Sequence, residues 1–302
     1  MDKKDVISVK DFSRQEIIGI LDTAKNLAVD PKKHTYLQGK ILATVFYETS
    51  TRTKISFNVA MKRLGGNVIG FSHIKNSSFI KGESFYDTMK ILEGYSDIIA
   101  LRAPWEGAAR YAGEIVTVPV INAGDGANQH PTQTLLDLYS IRETQNTLDS
   151  LKIGIMGDLK YGRTVHSLLM ALCHFNCKIT LISPPSLQLP RQFKRYLSDR
   201  QIHFEELEDF RNQINDLDIL YVTRVQKERF GDEKEYKKVS SAYHLQKSDL
   251  TEVKANFRIL HPLPRVDEIN QDVDSTIHAA YFEQARFGVT VREAIIYLLL
   301  TR

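Results

Sequence analysis

The sequence predicts an α/β protein made of two doubly wound parallel-sheet domains joined by long helices. Three observations predict this class. Short apolar runs of strand length recur along the chain, amphipathic helical segments alternate with them, and the alternation starts again near residue 151. Buried parallel strands have this continuous apolar character, and alternation of strands with helices is typical of sheets covered on both faces.

The composition is that of an ordinary globular protein and limits the function classes. The chain has 302 residues, of which 42% are hydrophobic, and 40 Lys and Arg residues against 37 Asp and Glu residues leave a formal net charge of +3. The charges are interspersed, so we expect no nucleic-acid partner. The longest apolar run, residues 294–300, is far shorter than the roughly 20 residues that span a bilayer, so we expect no membrane partner.

The amino terminus and the cysteines bear on location and metal binding. Residues 1–5 carry acidic side chains where a secretory signal peptide is positively charged, and no apolar stretch with a cleavage site follows, so we expect a cytoplasmic protein. Cys173 and Cys177 flank His174, but structural zinc takes four ligands and the sequence has no second Cys/His cluster. We expect no metal and no cofactor, and two buried, reduced thiols on one helix face.

The first half of the chain begins with a helix, a strand and a second helix. Ser13 and Glu16 have the spacing of a capping box, which predicts the start of the first helix. Residues 41–46 predict a buried strand, and a Ser/Thr-rich segment separates it from the second helix. The apolar positions of the two helices are Ile17, Ile18, Leu21 and Ala24, then Ile55, Val59, Met61 and Leu64.

Three strands and one helix complete the first half. Residues 67–71 and 98–101 predict strands, with a helix over residues 84–94 between them. Residues 118–121 predict a last strand, in which Pro119 fits only a strand start or an edge.

The second half repeats the alternation after a linking helix over residues 130–147. Its predicted strands are residues 152–156, 178–182, 219–222 and 257–260. The predicted domains are residues 1–133, with an amphipathic carboxy-terminal helix in residues 288–302 packed back onto them, and residues 134–287. The charge-dense segment 227–241 predicts a mobile surface loop or a plain solvated connector.

The first half carries candidate anion-binding groups where strands end. Ser50, Thr51, Arg52 and Thr53 follow a strand and open a helix, where backbone N–H groups and the helix dipole favour phosphate. The alternative is an N-cap beside a solvated arginine. Ser77 and Lys81 lie in a polar loop, and Arg102 ends a strand. His130 and Gln133 stand at the start of the linking helix, where the alternative for the histidine is a structural cap.

The second half carries candidate carboxylate-binding groups. Residues 157–164 resemble a dinucleotide-binding turn but lack the G-x-G-x-x-G spacing, which disfavours a nucleotide. Arg163 opens a helix and Arg224 ends a strand, and because a guanidinium can hold a carboxylate through two parallel bonds, the pair predicts a dicarboxylate ligand. Glu228 stands one helical turn after Arg224 and could hold it, or form an ordinary surface pair. In residues 261–265 two prolines fix carbonyl groups that could face a ligand, or simply close the loop.

Five motifs in this order resemble the aspartate carbamoyltransferase branch of the aspartate/ornithine carbamoyltransferase family. They are residues 50–53, 130–133, 157–163, 223–226 and 261–265, and the resemblance runs from about residue 8 onward. It implies an enzyme that transfers the carbamoyl group of carbamoyl phosphate to L-aspartate, early in pyrimidine biosynthesis. An ornithine carbamoyltransferase and a non-catalytic anion-binding homologue are the alternatives.

The resemblance also implies residue roles. Ser50, Thr51, Arg52 and Thr53 bind the phosphate, with Ser77 and Lys81 supplied by a neighbouring subunit, and Thr53, Arg102 and His130 polarise the carbamoyl oxygen. Gln133 and the carbonyls of Pro262 and Leu263 hold the carbamoyl nitrogen, with a cis bond between Leu263 and Pro264. Arg163, Arg224 and Gln226, together with Lys81, hold the aspartate carboxylates.

The implied assembly is a homotrimer with shared active sites, with a zinc-bearing regulatory chain as a further partner. The sequence departs from the family pattern at Lys54 and Asn58, where relatives have Arg and Glu, which puts subunit packing in question more than catalysis. Residues 286–288 replace a common Asn-Gly, which predicts an altered turn.

Overall fold

The computed structural model describes residues 4–72, 81–211, 213–225 and 243–301. The chain divides into two units. The first consists of Met1–Leu136 and Arg286–Arg302, and the second of Asp137–Ala285.

The described part of the first unit contains four strands, one helix before them and further helices after them. The strands are β1 (Ile41–Phe46), β2 (Asn67–Ser72), β3 (Ile98–Ala103) and β4 (Val120–Asp125). The helices are α1 (Arg14–Val29), α2 (Thr51–Arg63), α3 (Phe85–Tyr95), α4 (Ala108–Ile115) and α5 (Pro131–Gln145), and α5 continues into the second unit.

The sheet of the first unit is parallel and has the order β2-β1-β3-β4. The chain passes from β1 to β2 on one side and later returns to β3 on the other side of β1. This reversal makes a switch point between β1 and β3, where open α/β sheets bind ligands at the carboxyl ends of their strands. Alternate residues of the strands, such as Val45 and Leu101, pack with Met89 of α3 and Ala112 of α4 in a buried core.

Helix α1 begins with the predicted capping box. The Ser13 hydroxyl accepts from the Glu16 N–H at 3.2 Å, and the Glu16 carboxylate accepts from the Ser13 N–H at 2.9 Å. Its core face includes Ile20, which is fully buried, whereas Ile18 is only partly buried.

The described part of the second unit contains five strands. The strands are β5 (Lys152–Met156), β6 (Lys178–Ile182), β7 (Phe204–Leu207), β8 (Ile219–Val222) and β9 (Arg258–Leu260), and the helices are α6 (Arg163–Leu172), α7 (Arg191–Ser198) and α8 (Tyr281–Leu300). The parallel sheet has the order β7-β6-β5-β8-β9, so its switch point lies between β5 and β8. Its core includes Phe210, Val222, Phe257 and Tyr281, each fully buried.

The carboxy-terminal helix differs from the predicted one. It begins at Tyr281 rather than near residue 288, and it returns from the second unit to the first. Residues 286–288 therefore lie inside a helix, and the prediction of an altered turn there is wrong. Polar residues and a glycine interrupt the apolar positions in the first half of the helix, so the continuous apolar run revealed only the later part.

The cysteines do not share a helix face, contrary to the prediction. Cys173 follows the last residue of α6, and Cys177 lies in the connection to β6. Their thiols donate to the carbonyls of Leu169 at 3.3 Å and Leu148 at 3.1 Å. Burial raises the pKa of the Cys173 thiol to about 11. Within the described ranges there is no cluster of three or more potential metal ligands and no helix able to cross a membrane.

Candidate functional site

The predicted groups of the first unit lie along one edge of its sheet. Phe46, the last residue of β1, is paired with Arg102 in β3, and Ala103 is paired with Asp125 in β4. The carboxyl ends of three neighbouring parallel strands therefore meet here. The segments that follow β1 and β4 carry Ser50 to Thr53 and His130 to Gln133 on that same edge.

Ser50 occupies the N-cap position of α2. Its carbonyl accepts from the Lys54 N–H at 3.0 Å, but its hydroxyl makes no capping hydrogen bond. Thr51 and Arg52 are exposed and Thr53 is nearly buried. The alternative of a plain N-cap is therefore weakened, because the groups that would bind an anion are not used to cap the helix.

Arg102 is held at the end of β3 by two oxygen atoms. Its Nη1 donates to the Ala123 carbonyl at 3.2 Å, and its Nε lies 3.4 Å from a carboxylate oxygen of Glu48. Glu48 follows β1 and was not singled out by the sequence analysis. The signal that could have found it is its position after the strand that neighbours β3.

Asp125 organises the connection between β4 and α5. It is 1% exposed, and its carboxylate accepts hydrogen bonds from the backbone N–H groups of Gly107 and Gln129 and from the side-chain amides of Asn122 and Asn128. Four donors of this kind fix the loop that leads to His130. No sequence motif pointed to this role, since three of its donors lie in the irregular segment around the end of β4 and the fourth, Gly107, comes from another segment.

His130 and Gln133 stand at the first turn of α5. His130 is 5% exposed, and its Nδ1 lies 3.5 Å from the Thr132 hydroxyl. Its carbonyl accepts from the N–H groups of Gln133 at 3.0 Å and Thr134 at 3.2 Å. The backbone of His130 thus caps the helix while its ring is fixed beside Thr132.

In the second unit, Arg163 and Arg224 flank the switch point. Met156, which ends β5, is paired with Val222, which ends β8. Arg163 is the first residue of α6, Arg224 lies two residues beyond β8, and both are partly buried. The sheet order therefore brings the two predicted carboxylate-binding arginines to one edge.

The turn between β5 and α6 is fixed by hydrogen bonds within it. Oδ1 of Asp158 accepts from the N–H groups of Lys160 at 3.1 Å and Tyr161 at 2.9 Å. His166 Nε2 lies 2.9 Å from the Leu159 carbonyl, and burial lowers the pKa of His166, which favours a neutral ring that donates to this carbonyl. These bonds determine where α6, and with it Arg163, begins.

The segment after β9 lies on the same edge, because β9 neighbours β8. His261 Nδ1 accepts from the Leu263 N–H at 2.8 Å, so its proton is on Nε2, which lies 2.7 Å from Glu268. Burial opposes ionisation of Glu268, but the hydrogen bond from His261 and those from the backbone N–H groups nearby outweigh it and lower the pKa of this carboxyl. Pro262 and Leu263 are partly buried, Pro264 is exposed, and the Leu263–Pro264 bond is cis.

Two predicted site residues, Ser77 and Gln226, lie outside the described residues, as do Glu228 and the segment 227–241. Lys81 is exposed and precedes α3. Lys54, one of the departures from the family pattern, donates to the Ser72 hydroxyl at 2.6 Å within the first unit.

Two family models match the chain along nearly its whole length. Residues 4–143 match the carbamoyl-P binding domain of aspartate/ornithine carbamoyltransferase, and residues 149–299 match its Asp/Orn binding domain. The chain belongs to the aspartate/ornithine carbamoyltransferase family. The resemblance predicted from the five motifs is confirmed.

Relatives that match over nearly the whole chain are named aspartate carbamoyltransferase catalytic subunits. The aspartate carbamoyltransferase catalytic subunit of Thermococcus onnurineus is 52% identical over 300 residues, which is 98% of this chain and 97% of the relative. That of Bacteroides thetaiotaomicron is 50% identical over 297 residues, covering 98% of this chain and 95% of the relative.

Solved structures agree with the fold. The catalytic subunit of M. jannaschii aspartate transcarbamoylase has a TM-score of 0.94 and 50% identity, over 99% of this chain and 98% of that one. Aspartate transcarbamoylase from Trypanosoma cruzi in complex with N-(phosphonacetyl)-L-aspartic acid has a TM-score of 0.90 and 34% identity, over 97% and 94%. The predicted fold class is confirmed.

Proposed function

We propose that the protein transfers the carbamoyl group of carbamoyl phosphate to the amine of L-aspartate, giving N-carbamoyl-L-aspartate and phosphate. One observation carries the proposal. Each unit gathers anion-binding groups at its own switch point: a helix N-terminus with hydroxyls and cations in the first unit, and two arginines in the second. The first set suits a phosphate, and the second suits a dicarboxylate.

The phosphate is assigned to Ser50, Thr51, Arg52 and Thr53. The exposed hydroxyl and guanidinium groups add to the positive end of α2, whose 13 residues are long enough to give a full dipole. Charge on the departing phosphate grows in the transition state, so hydrogen-bond donors and a cation placed here lower the barrier. Ser77 and Lys81 of a neighbouring subunit are proposed to complete this site.

The carbamoyl oxygen is assigned to Thr53, Arg102 and His130. When the amine attacks the carbamoyl carbon, negative charge grows on this oxygen. The C–O bond to phosphate then breaks with the electron pair leaving on phosphate, and the departing phosphate takes the proton that the amine loses. Because Arg102 and His130 are fixed by hydrogen bonds before substrate arrives, little reorganisation is needed.

The carbamoyl nitrogen is assigned to Gln133 and the carbonyls of Pro262 and Leu263. The bond from the Leu263 N–H to the His261 ring, which Glu268 orients in turn, supports this role because it fixes the backbone of that segment. The carboxylates of aspartate are assigned to Arg163, Arg224 and Gln226, together with Lys81.

We propose a homotrimer with shared sites. The support in the described part of the chain is α3, which exposes three large apolar side chains directly after the segment containing Lys81, the last two of them one turn apart on a shared face. These are Tyr86, Ile91 and Tyr95, with 48%, 45% and 63% of their surface exposed. Pyrimidine biosynthesis, a cytoplasmic location and a zinc-bearing regulatory chain complete the proposal, and two free cysteines are consistent with a reducing compartment.

The test is turnover by the purified protein with carbamoyl phosphate and either L-aspartate or L-ornithine. We expect phosphate release and N-carbamoyl-L-aspartate with aspartate, and no product with ornithine. Product from ornithine alone would identify the other branch of the family. Phosphate binding without release in the presence of both substrates would identify a non-catalytic anion-binding protein.

A further inference from the structure

Thr223 connects the two segments that carry Arg163 and Arg224. It directly follows Val222, the last residue of β8, and directly precedes Arg224, and it is 5% exposed. Its backbone N–H donates to the Met156 carbonyl at 2.8 Å, which extends the pairing of β8 with β5 by one bond. The backbone alone therefore places Thr223 against the end of β5.

The hydroxyl of Thr223 adds two bonds that the backbone cannot make. It donates to the Met156 carbonyl at 3.1 Å and accepts from the Asp158 N–H at 3.1 Å. The hydroxyl thus uses its one proton and one lone pair across the switch point. A buried hydroxyl with both roles filled holds its neighbours in one geometry.

The close approach at this point leaves no room for a side chain on Gly157. Gly157 has a φ of 119°, and a Cβ there would overlap the Thr223 carbonyl oxygen. Glycine is therefore required for two reasons, the backbone conformation and the contact. The two segments touch through backbone atoms, with the Thr223 hydroxyl as the only side-chain group in the described contact that bonds to both Met156 and Asp158.

From Asp158 the constraint continues to Arg163. The Asp158 carboxylate shapes the turn by accepting from Lys160 and Tyr161, and His166 fixes the middle of the turn from α6. The Asp158 N–H is thus the point at which this turn, with Arg163 at its end, is bonded to the β8 segment. Arg224 is the residue next to Thr223 on the other side of that bond.

We propose that Thr223 is a positioning residue that sets the spacing of Arg163 and Arg224 and so determines which dicarboxylate the enzyme accepts. The inference rests on the proposed function, in which these two arginines hold the carboxylates of aspartate. Aspartate and glutamate differ by one methylene between their carboxylates, so a fixed spacing of two guanidinium groups is what separates them.

The test compares Thr223→Val with Thr223→Ser. Valine keeps the shape and removes the hydroxyl, which leaves the buried Asp158 N–H without this acceptor, whereas serine keeps the hydroxyl. For Thr223→Val we expect the KM for aspartate to rise about tenfold or more, the KM for carbamoyl phosphate to stay unchanged, and the preference for aspartate over glutamate to fall. Thr223→Ser restores the wild-type values.

A purely structural role would give a different result, because general loosening of the protein would change both KM values and leave the aspartate preference as it was. That result, or equal losses in Thr223→Val and Thr223→Ser, overturns the inference. If Thr223→Val does not fold, Thr223→Ala leaves space for a water at the Asp158 N–H, and the same rise in the KM for aspartate alone is expected. Normal aspartate kinetics in Thr223→Ala would overturn the inference.

The proposed function and this inference fail in distinguishable ways. If the wild-type protein forms no carbamoyl aspartate, both fall. If the wild-type protein uses aspartate and Thr223→Val has wild-type KM values and the wild-type preference for aspartate over glutamate, the function stands and the role of Thr223 is rejected.

Discussion

Single residues in this protein act mainly through where the strands place them. Arg52 is exposed at the start of α2, whereas Arg102 is held by the Ala123 carbonyl and Glu48 at the end of β3. A cation that is already bonded in the protein needs little reordering when it meets a substrate. Arg52 has the opposite character, since its side chain is open to solvent until an anion binds.

The first prediction concerns Arg52. Arg52→Ala removes a guanidinium from the proposed phosphate site, where negative charge grows during the reaction, so we expect kcat to fall by about a thousandfold or more. Steady-state phosphate release measures it. Arg110→Ala is the matched control, because Arg110 is an exposed arginine of the same unit that pairs with Asp11, and it should leave kcat unchanged. Wild-type kcat in Arg52→Ala would remove this residue from the site.

The second prediction concerns the pH dependence of the pair formed by His261 and Glu268. The folded-state pKa of Glu268 is below the usual value of 4.5, so the pair stabilises the protein above that pH, and the stabilisation is lost as the pH falls through the folded-state pKa. Oε2 of Glu268 also accepts from the N–H groups of Val266 and Asp267, both at 3.1 Å.

Glu268→Gln would turn an amide NH2 toward donors, so we expect it to lower the free energy of unfolding by about 1–3 kcal/mol at pH 7. The loss should shrink as the pH falls below 4.5, because the unfolded chain takes up a proton there while the folded protein keeps the carboxylate charge down to its lower pKa. Denaturant unfolding of the wild-type protein and the variant at pH 7 and pH 4 measures this loss of free energy. A loss that is the same at pH 7 and pH 4 would contradict the assignment.

At the scale of elements, burial explains why four strands were predicted with the observed bounds. The bounds of β1, β5, β6 and β8 match the prediction because nearly every residue in them is buried, so the sequence shows a continuous apolar run. Strand β7 was missed because its two central residues are exposed glutamates, which give no such run.

Two further differences have local causes. Strand β4 begins at Val120, two positions later than predicted, because Pro119 has no N–H to donate and contributes only its carbonyl, which accepts from Ile99. Helix α4 was not predicted, since it has only eight residues and its buried face consists of alanines. Small side chains give a weak apolar signal even where they pack closely.

The candidate site also contains residues that the sequence predicted and residues that it did not. Residues at strand ends were predictable from strand patterns and glycine or proline punctuation. Glu48 was not, because it pairs with Arg102 on a neighbouring strand, and no local pattern contains the sheet order. Asp125 and Glu268 were not, because most of their partners are nearby groups that only the folded loop turns toward the carboxylate.

The third prediction concerns the attachment of α8 to the first unit. The carboxylate of Glu293 is fully buried and lies 2.8 Å from Lys33 and 3.4 Å from Arg63. Lys33→Met leaves the buried carboxylate with only the longer pair, so we expect it to lower the free energy of unfolding by about 2–3 kcal/mol. Glu293→Gln should cost less, because the lysine and arginine side chains can turn toward solvent.

Urea unfolding, followed by a signal that reports on the first unit, measures these losses in the free energy of unfolding. Lys40→Met serves as the control, because the pair of Lys40 and Asp97 is similar in length at 2.9 Å but more exposed, and it should change the free energy by less than about 1 kcal/mol. A larger loss in Glu293→Gln than in Lys33→Met would show that the unpaired buried charge is not the cause of the lost stability.

At the scale of the whole molecule, the proposed homotrimer makes each active site depend on two chains. The fourth prediction uses two variants that are each expected to be inactive, Arg52→Ala and Lys81→Gln. In trimers assembled from an equal mixture, about a quarter of the sites draw an intact Arg52 from one chain and an intact Lys81 from its neighbour, so activity should reappear.

Activity of the mixture, measured after dissociation and reassembly, checks this prediction, with each variant reassembled alone as the control. Native mass spectrometry identifies the mixed trimers. Mixed trimers without activity would place Lys81 in the site of its own chain, and a protein that is monomeric at physiological salt would exclude the shared site.

The path of the chain between the two units has a consequence for biosynthesis. The second unit is one uninterrupted segment, residues 137–285, whereas the first unit needs residues 286–302 in addition to its amino-terminal part. Domains usually become native in the order in which they leave the ribosome. Here the amino-terminal unit cannot become native first, because its last helix is made only after the whole of the second unit.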